Sequence, residues 1–285
     1  MSAPHAPSSG FWSRLDGIAV VNLGERPDRW KQVCDDAAPV LAGAPPLSRV
    51  SAVRGTQLSG YGERPWFRGK ASDKRWAAKV GCTQSHRKVM DFARARGWNL
   101  FLVLEDDADF SPLASVDIAA LEHLLFTVHT DWDVCYLGFS KAVGTSLELA
   151  SFGDERLCEV NGCYTTHAYL VRTRARDWIF EQLAEDAAAW AWHAQHRIID
   201  RWYVRHLSRS HRVLAISPSI ITQAAGFSDI VQRQVNYSDE FAGRLERVTT
   251  DRISFRRRKA FRDALTPFKD AYDALRGLLK RIKGF

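Results

Sequence analysis

The sequence predicts an α/β layered fold with a mostly parallel sheet flanked by helices, and two observations predict it. Short apolar runs recur at residues 18–23, 101–104, 134–138 and 213–216, and 164–171 reads as a further strand. Runs of that length without polar alternation read as buried strands. Helical segments at 83–96 and 174–195 fall between them. Strands alternating with helices pair mostly in parallel and form layers.

Taken in order, residues 1–10 are rich in Pro, Ser, Ala and Gly and read as disordered. The strand at 18–23 runs into Pro27 and Asp28, a pair suited to a turn into a helix. Residues 54–76 hold Gly55, Gly60, Gly62, Pro65 and Gly69 among many charges, which reads as a long loop of the kind that serves as a lid. The helix at 83–96 has Thr83 as its cap and Gly97 at the left-handed C-terminal position. The strand at 101–104 leads directly into Glu105, Asp106, Asp107, Ala108 and Asp109. The segment at 174–195 reads as one Ala-rich helix, and 213–216 as the last strand before Pro218. After residue 250 the pattern changes. Leu265, Phe268, Tyr272, Leu275, Leu279 and Ile282 recur at helical spacing with Arg276, Lys280, Arg281 and Lys283 between them, the pattern of a basic amphipathic helix. This divides the chain into a disordered stretch 1–10, a domain over 11–250 and a tail over 251–285.

Composition narrows the function. Of the 285 residues, 46% are hydrophobic and 26% charged, enough for an ordinary core. The net charge is +7, but residues 252–285 carry eleven Lys/Arg against three Asp, a net +8, so the rest is close to neutral at −1. A basic surface over the whole body is thereby excluded, and nucleic acid is not an expected partner. The five cysteines include no C-x-x-C pair, so reduced thiols are expected rather than a disulfide framework or a Cys-rich zinc site. The first residues, MSAPHAPSSG, lack a basic segment followed by an apolar one, and no apolar run approaches a membrane span. No Gly-rich phosphate fingerprint occurs.

Four carboxylates within five residues at a strand end repel one another and lose hydration. Packing does not explain collecting them, whereas a divalent cation does. Mn²⁺ and Mg²⁺ prefer carboxylate oxygens and bridge the phosphates of nucleotides, and open α/β sheets bind ligands at the carboxyl ends of their strands. Arg26 and Arg29, after the first strand, suit a pyrophosphate. Gly81-Cys82, opening the helix that carries Ser85 and His86, reads as an anion-favouring helix N-terminus.

In this order, the motifs VVNLGERPDRW (20–30), GCTQSHRKVM (81–90), FLVLEDDADF (101–110), DWDVCYLG (131–138), GCYTTHAYLVRTRA (162–175) and SPSIITQAAGFSDI (217–230) resemble glycosyltransferase family 25, the lipopolysaccharide-type group that also holds collagen galactosyltransferases. The resemblance covers roughly residues 16–230. It implies a GT-A-like, Rossmann-type catalytic domain that binds a UDP-sugar through a divalent metal, Mn²⁺ or Mg²⁺, and transfers the sugar with inversion. Carried over by motif, Glu105, Asp106 and Asp107 are the acidic signature. Asp107 and Asp109 make a literal D-x-D, so the metal set is drawn from Asp107, Asp109 and Glu105. Asn22, Leu23, Arg26, Arg29 and Ser85 lie with the nucleotide, together with Glu105 and Asp106. Ser228 and Asp229 belong to the late Ser-Asp-Ile signature. Where collagen-type members imply a late histidine ligand, this chain offers Gln223.

An inverting displacement needs one general base opposite the leaving UDP. Asp200 is the first candidate and His86 the second, with a salt bridge to Arg197 or Arg201 the structural alternative for Asp200. The expected reaction moves a hexose, galactose or a related sugar, to a hydroxyl of a glycan or glycolipid, as in lipopolysaccharide or surface-polysaccharide biosynthesis. The expected location is cytoplasmic, with the tail either at the inner face of the membrane or packed on the catalytic domain or another subunit. The competing readings are a metal-dependent nucleotidyltransferase and a glycosyltransferase-like binding module without activity.

Overall fold

The computed structural model describes residues 10–228, 233–235 and 243–285. Apart from Gly10, the segment expected to be disordered lies outside the described residues, as does Asp229.

Nine strands form one sheet: β1 (Gly17–Asn22), β2 (Leu47–Ser51), β3 (Leu100–Glu105), β4 (Val134–Gly138), β5 (Ser146–Phe152), β6 (Glu155–Glu159), β7 (Ala168–Arg172), β8 (Val213–Ser217) and β9 (Val248–Thr249). Their spatial order is β2-β1-β3-β7-β4-β8-β6-β5-β9. Seven strands run one way, and β7 and β6 run against them. The mostly parallel α/β sheet flanked by helices is therefore the architecture found. The first half is a Rossmann-type unit, in which α1 (Pro27–Ala37) connects β1 to β2 and α2 (Asp73–Ala95) returns past β1 to β3. The chain thus places β2 on one side of β1 and β3 on the other. The crevice at the carboxyl ends of β1 and β3 is the topological switch point where such sheets bind ligands.

Both faces of the sheet are covered. Ile18, Val20, Leu102 and Leu104 pack on one face with Val33 and Ala37 of α1. Ala19, Phe101 and Val103 pack on the other with Val89 and Met90 of α2, with α4 (Thr173–Gln182) and with α6 (Ile199–Ser210). Alternate residues of one apolar strand thus enter opposite cores, which is why these strands read as unbroken runs. A third cluster joins Phe67, Val80, Trp190 and Phe285.

The structure corrects two helix readings. Helix α2 begins at Asp73, ten residues before Thr83, so Gly81 and Cys82 lie mid-helix and supply no helix N-terminus for an anion. Thr83 is not a cap: its hydroxyl donates to the Lys79 carbonyl at 3.2 Å. Gly81 has a packing reason, since a Cβ there would sit 2.4 Å from the Val53 carbonyl oxygen and 2.7 Å from the Gly55 nitrogen. The C-terminal reading holds. Gly97 adopts φ 68°, and the Gly97 and Trp98 N–H groups donate to the carbonyls of Arg94 and Ala93, the paired bonds of a Schellman motif. The expected single helix at 174–195 is two, α4 and α5 (Ala189–His196). The chain breaks where Arg87 and Gln84 of α2 donate to the carbonyls of Leu183 and Ala184. Residues after 250 form α7 (Arg252–Ala264) and α8 (Thr266–Lys283), and the Arg256–Lys259 run lies inside α7. All five cysteines are free. Among the described residues, no helix is long and apolar enough to cross a membrane.

Because the backbone of residues 53–55 lies against α2 at Gly81, Gly81→Ala should lower stability by about 1–3 kcal/mol through overpacking. Urea denaturation followed by far-UV circular dichroism measures it, and an unchanged midpoint would show that the loop yields freely.

Candidate nucleotide and metal site

A cleft of about 530 Å³ opens at the switch point, lined by Leu23, Arg26, Arg29, Ser85, His86 and the Glu105–Asp107 run, among others. The lid-like loop contributes Arg54, Thr56 and Tyr61. Residues far apart in sequence thus share one wall.

Asn22, the last residue of β1, is 1% exposed and fully bonded. Its amide donates to Asp106 Oδ2 at 2.6 Å and to the Arg26 carbonyl at 3.0 Å, and its oxygen accepts from Arg49 Nε at 2.7 Å. Arg29, in the first turn of α1, donates from Nη1 to Asp106 Oδ1 at 3.1 Å. Asp106 is therefore held by β1 and α1 together. Burial nevertheless raises its pKa, with the Asn22 and Arg29 bonds acting against that rise. Arg26 pairs with Asp28 at 2.9 Å at the cleft mouth.

Glu105 ends β3 and accepts from the Thr166 hydroxyl at 3.1 Å, with His86 Nε2 at 3.4 Å. Burial works against its ionisation, but the His86 bond and charge outweigh that, and its pKa lies below the ordinary value. Thr166 has one hydroxyl proton, which goes to Glu105. Its oxygen therefore accepts from His86 Nε2 at 3.2 Å, and His86 Nδ1 lies 2.8 Å from the Tyr169 hydroxyl. Both ring nitrogens of His86 are thereby engaged. The hydroxyl of Ser85 bridges the Gly81 carbonyl and the Val53 N–H at 2.7 and 2.8 Å, fixing the cleft wall.

Asp107 differs from its neighbours. Among the described residues, its carboxylate has only long contacts to Gln223 Nε2, at 3.4 and 3.5 Å. Burial first, and then the charges of Glu105 and Asp106, raise its pKa to about 7. Asp109 turns elsewhere: its oxygens accept from Ser111 and from the Thr222 hydroxyl at 2.9–3.0 Å, and it lines a second cavity of about 810 Å³. Gln223 lies at Asp107 because Thr222–Gln223 pairs antiparallel with Ala108–Asp109. Ser228 lies in a short strand; its side chain, like Asp229, is outside the described residues.

Asp200 sits in the first turn of α6, outside the lining of the cleft. Its oxygens accept from the Thr165 and Arg201 N–H groups at 3.3 and 2.6 Å. It forms no ion pair with Arg197 or Arg201 among the described residues. Burial raises its pKa, and Glu105 is close enough to add to that rise. Residues 165–167 join the two carboxylates: Thr165 N–H meets Asp200, Thr166 meets Glu105, and His167 Nε2 lies 3.1 Å from the Ile221 carbonyl. Thr165 holds φ 66°, a strained value for a β-branched residue and of a kind that concentrates at functional sites. Sequence reasoning singled out none of these three residues, although they lie inside the GCYTTHAYLVRTRA motif.

Among the described residues, two sets of side chains come into question for a cation. Cys82, His86 and Glu105 offer ligand atoms within 4.8 Å of one another. Burial pushes the Cys82 thiol well up, so it is not a thiolate, and the His86 nitrogens already have partners. Asp107 with the adjacent Glu105 is the hard, oxygen-rich alternative, and the poorly satisfied Asp107 carboxylate is the better fit for Mn²⁺ or Mg²⁺.

No family model matches the chain, and no curated protein matches it. The resemblance to glycosyltransferase family 25 rests on the motifs alone. Solved structures similar to this chain include A197 from STIV, at TM-score 0.38 and 11% identity over 78% of this chain and 93% of that one. A glycosyltransferase involved in glycosylation of the major capsid of PBCV-1 aligns at TM-score 0.40 and 8% identity, over 76% and 95%. The CMP:2-keto-3-deoxy-manno-octonic acid synthetase complexed with CTP aligns at 0.32 and 12%, over 70% and 88%. All three scores lie below one half, so these likenesses carry no argument about activity.

The Asp107 environment makes a stability prediction. The fold keeps this carboxyl protonated up to about 7, whereas the unfolded chain releases the proton near the ordinary value of about 4. Stability of the metal-free protein should therefore fall as pH rises across that window, with the full penalty present above it. Asp107→Asn should raise stability at pH 8 by about 1–3 kcal/mol, measured by denaturation in chelator. A loss of stability would make the carboxylate a structural support instead.

Proposed function

We propose that the protein is a metal-dependent glycosyltransferase that moves a sugar from a UDP-sugar to an acceptor hydroxyl with inversion. The observation that carries this reading is the Glu105–Asp107 run, ending a strand at the switch point in a nucleotide-sized cleft that Arg26 and Arg29 also line. Asp107, with Glu105, would hold Mn²⁺ or Mg²⁺. A bound cation supplies positive charge to the diphosphate as it leaves. Asp106 stays with Asn22 and Arg29, so its task is to set the position of the run and of Arg29.

The residues then divide the work. Arg26 and Arg29 face the diphosphate and stabilise its developing charge. Residues 54–61 of the loop close one side and exclude water from the donor. Asp200 accepts the proton of the attacking hydroxyl as the bond from the anomeric carbon to that oxygen forms and the bond to UDP breaks. Burial raises its pKa, the direction that makes a carboxylate a stronger base. Thr165 and the N–H of Arg201 hold its carboxylate in place. His86, engaged at both nitrogens, orients Glu105. The acceptor proposed is a hydroxyl of a glycan or glycolipid, and the donor sugar a hexose such as galactose.

The test is release of sugar from a panel of UDP-sugars in Mn²⁺, since transferases leak slowly to water, followed by transfer to oligosaccharide acceptors. The expected result is metal-dependent turnover of one donor. Asp200→Asn should lower turnover by about 10²-fold or more without changing UDP affinity. Loss of UDP affinity in that variant would move Asp200 to the donor side, and turnover of no UDP-sugar would remove the reading.

A further inference from the structure

Helix α8 is amphipathic in the reverse of the usual sense. A helix covering a domain normally turns its apolar stripe inward. Here the polar face is the one pinned to the body. Asp273, 4% exposed, pairs with Arg205 of α6, and Arg276 Nη2 donates to the Gln195 carbonyl at 2.7 Å. Gly277 lets the backbone of α5 approach, with Gln195 Cβ 3.4 Å from where its own Cβ would stand. At the far end, Arg68 Nη2 donates to the Ile282 carbonyl at 3.0 Å, and Lys70 Nζ donates to the Phe285 carbonyl at 2.8 Å. Phe285 stacks on Trp66 and Trp76 with ring centres 5.8 and 5.3 Å apart. The helix is therefore fixed along its length, and its orientation is not free to reverse.

The opposite face carries the apolar stripe, and it points to solvent. Phe268 is 75% exposed, Tyr272 62%, Leu275 55% and Ile282 64%. Lys269, Arg281 and Lys283 of α8 are exposed as well, as are Arg256 and Arg257 on α7. An exposed apolar row on a rigid, well-packed helix marks an interaction surface. Its charge decides the partner. The segment carries a net +8 on a body of net −1, so two copies meeting stripe to stripe would bring like charges together. An anionic surface satisfies both the stripe and its rim.

We propose that the α8 stripe docks this protein on an anionic lipid bilayer, with the helix lying in the headgroup region. Phe268, Tyr272, Leu275 and Ile282 enter the acyl boundary, while Lys269, Arg281 and Lys283 meet lipid phosphates. The docking is peripheral, and it stands on the tail's own geometry, independent of the transferase reading. That reading gains from it a route to lipid-linked acceptors.

The test is vesicle flotation of the full-length protein at low salt, with vesicles of phosphatidylcholine alone or mixed with phosphatidylglycerol. Two variants accompany it: Phe268→Ser/Leu275→Ser/Ile282→Ser, and Lys269→Glu/Arg281→Glu/Lys283→Glu. All six positions are exposed, so both variants should keep the wild-type melting temperature. Wild type should float with the anionic vesicles and not with the neutral ones, and raised salt should release it. Each variant should reduce the bound fraction at least about tenfold. The proposal is overturned if wild type ignores anionic vesicles, if it binds neutral vesicles equally, or if the variants bind as wild type does. It is also overturned if light scattering finds a wild-type dimer that the Ser variant turns into a monomer without any vesicle binding.

Discussion

Glu105, Asp106 and Asp107 leave the end of β3 side by side, half-buried in the wall of the cleft. Like charges at neighbouring half-buried positions repel more strongly than in water, because the surroundings lose dielectric strength. The molecule meets this constraint differently at each position. Glu105 is stabilised by Thr166 and His86, and Asp106 by Asn22 and Arg29. Among the described residues Asp107 receives only distant contacts from Gln223, and its pKa is raised to about 7. The proposed cation would complete that carboxylate, and the stability forgone there would then be of the kind functional sites give up.

The supports of that run come from every element around it. Asn22 ends β1, Arg29 opens α1, His86 lies on α2 and Thr166 precedes β7. The switch in strand order puts the ends of β1 and β3 next to each other, so that Asn22 reaches across to Asp106. The 165–167 turn then ties the Glu105 side to Asp200 on α6, at the cost of a positive φ at Thr165. On the proposed reading this sets the candidate base on one side and the diphosphate on the other, the division a single displacement needs.

Much of this was legible in the residues. The apolar strands announced themselves because both faces of the sheet are covered, as alternating residues 101–104 show. The acidic run stood out because no packing argument accounts for it. Three things were less legible. The sequence places the start of α2 ten residues late because Thr83 suits a cap and Gly81-Cys82 an opening, whereas Gly81 answers the approach of residues 53–55, a tertiary contact. Asp107 and Asp109 look equivalent as a D-x-D, and only the two-residue ladder with Thr222–Gln223 turns Asp109 onto Ser111 and Thr222. The tail's amphipathic period was plain, but period alone does not tell which face meets the body. Asp273 with Arg205, and Phe285 among tryptophans, decide that.

On the proposed reading the Glu105–Asp107 run is a metal-dependent site for a nucleoside diphosphate, and calorimetric titration of UDP into the wild-type protein, once in Mn²⁺ and once in chelator, measures that dependence. Saturable one-to-one binding is expected in Mn²⁺, with at least about a hundredfold weaker binding in chelator, since the arginines alone must then hold the diphosphate. Equal affinity in the two buffers, or no UDP binding in either, would contradict that reading.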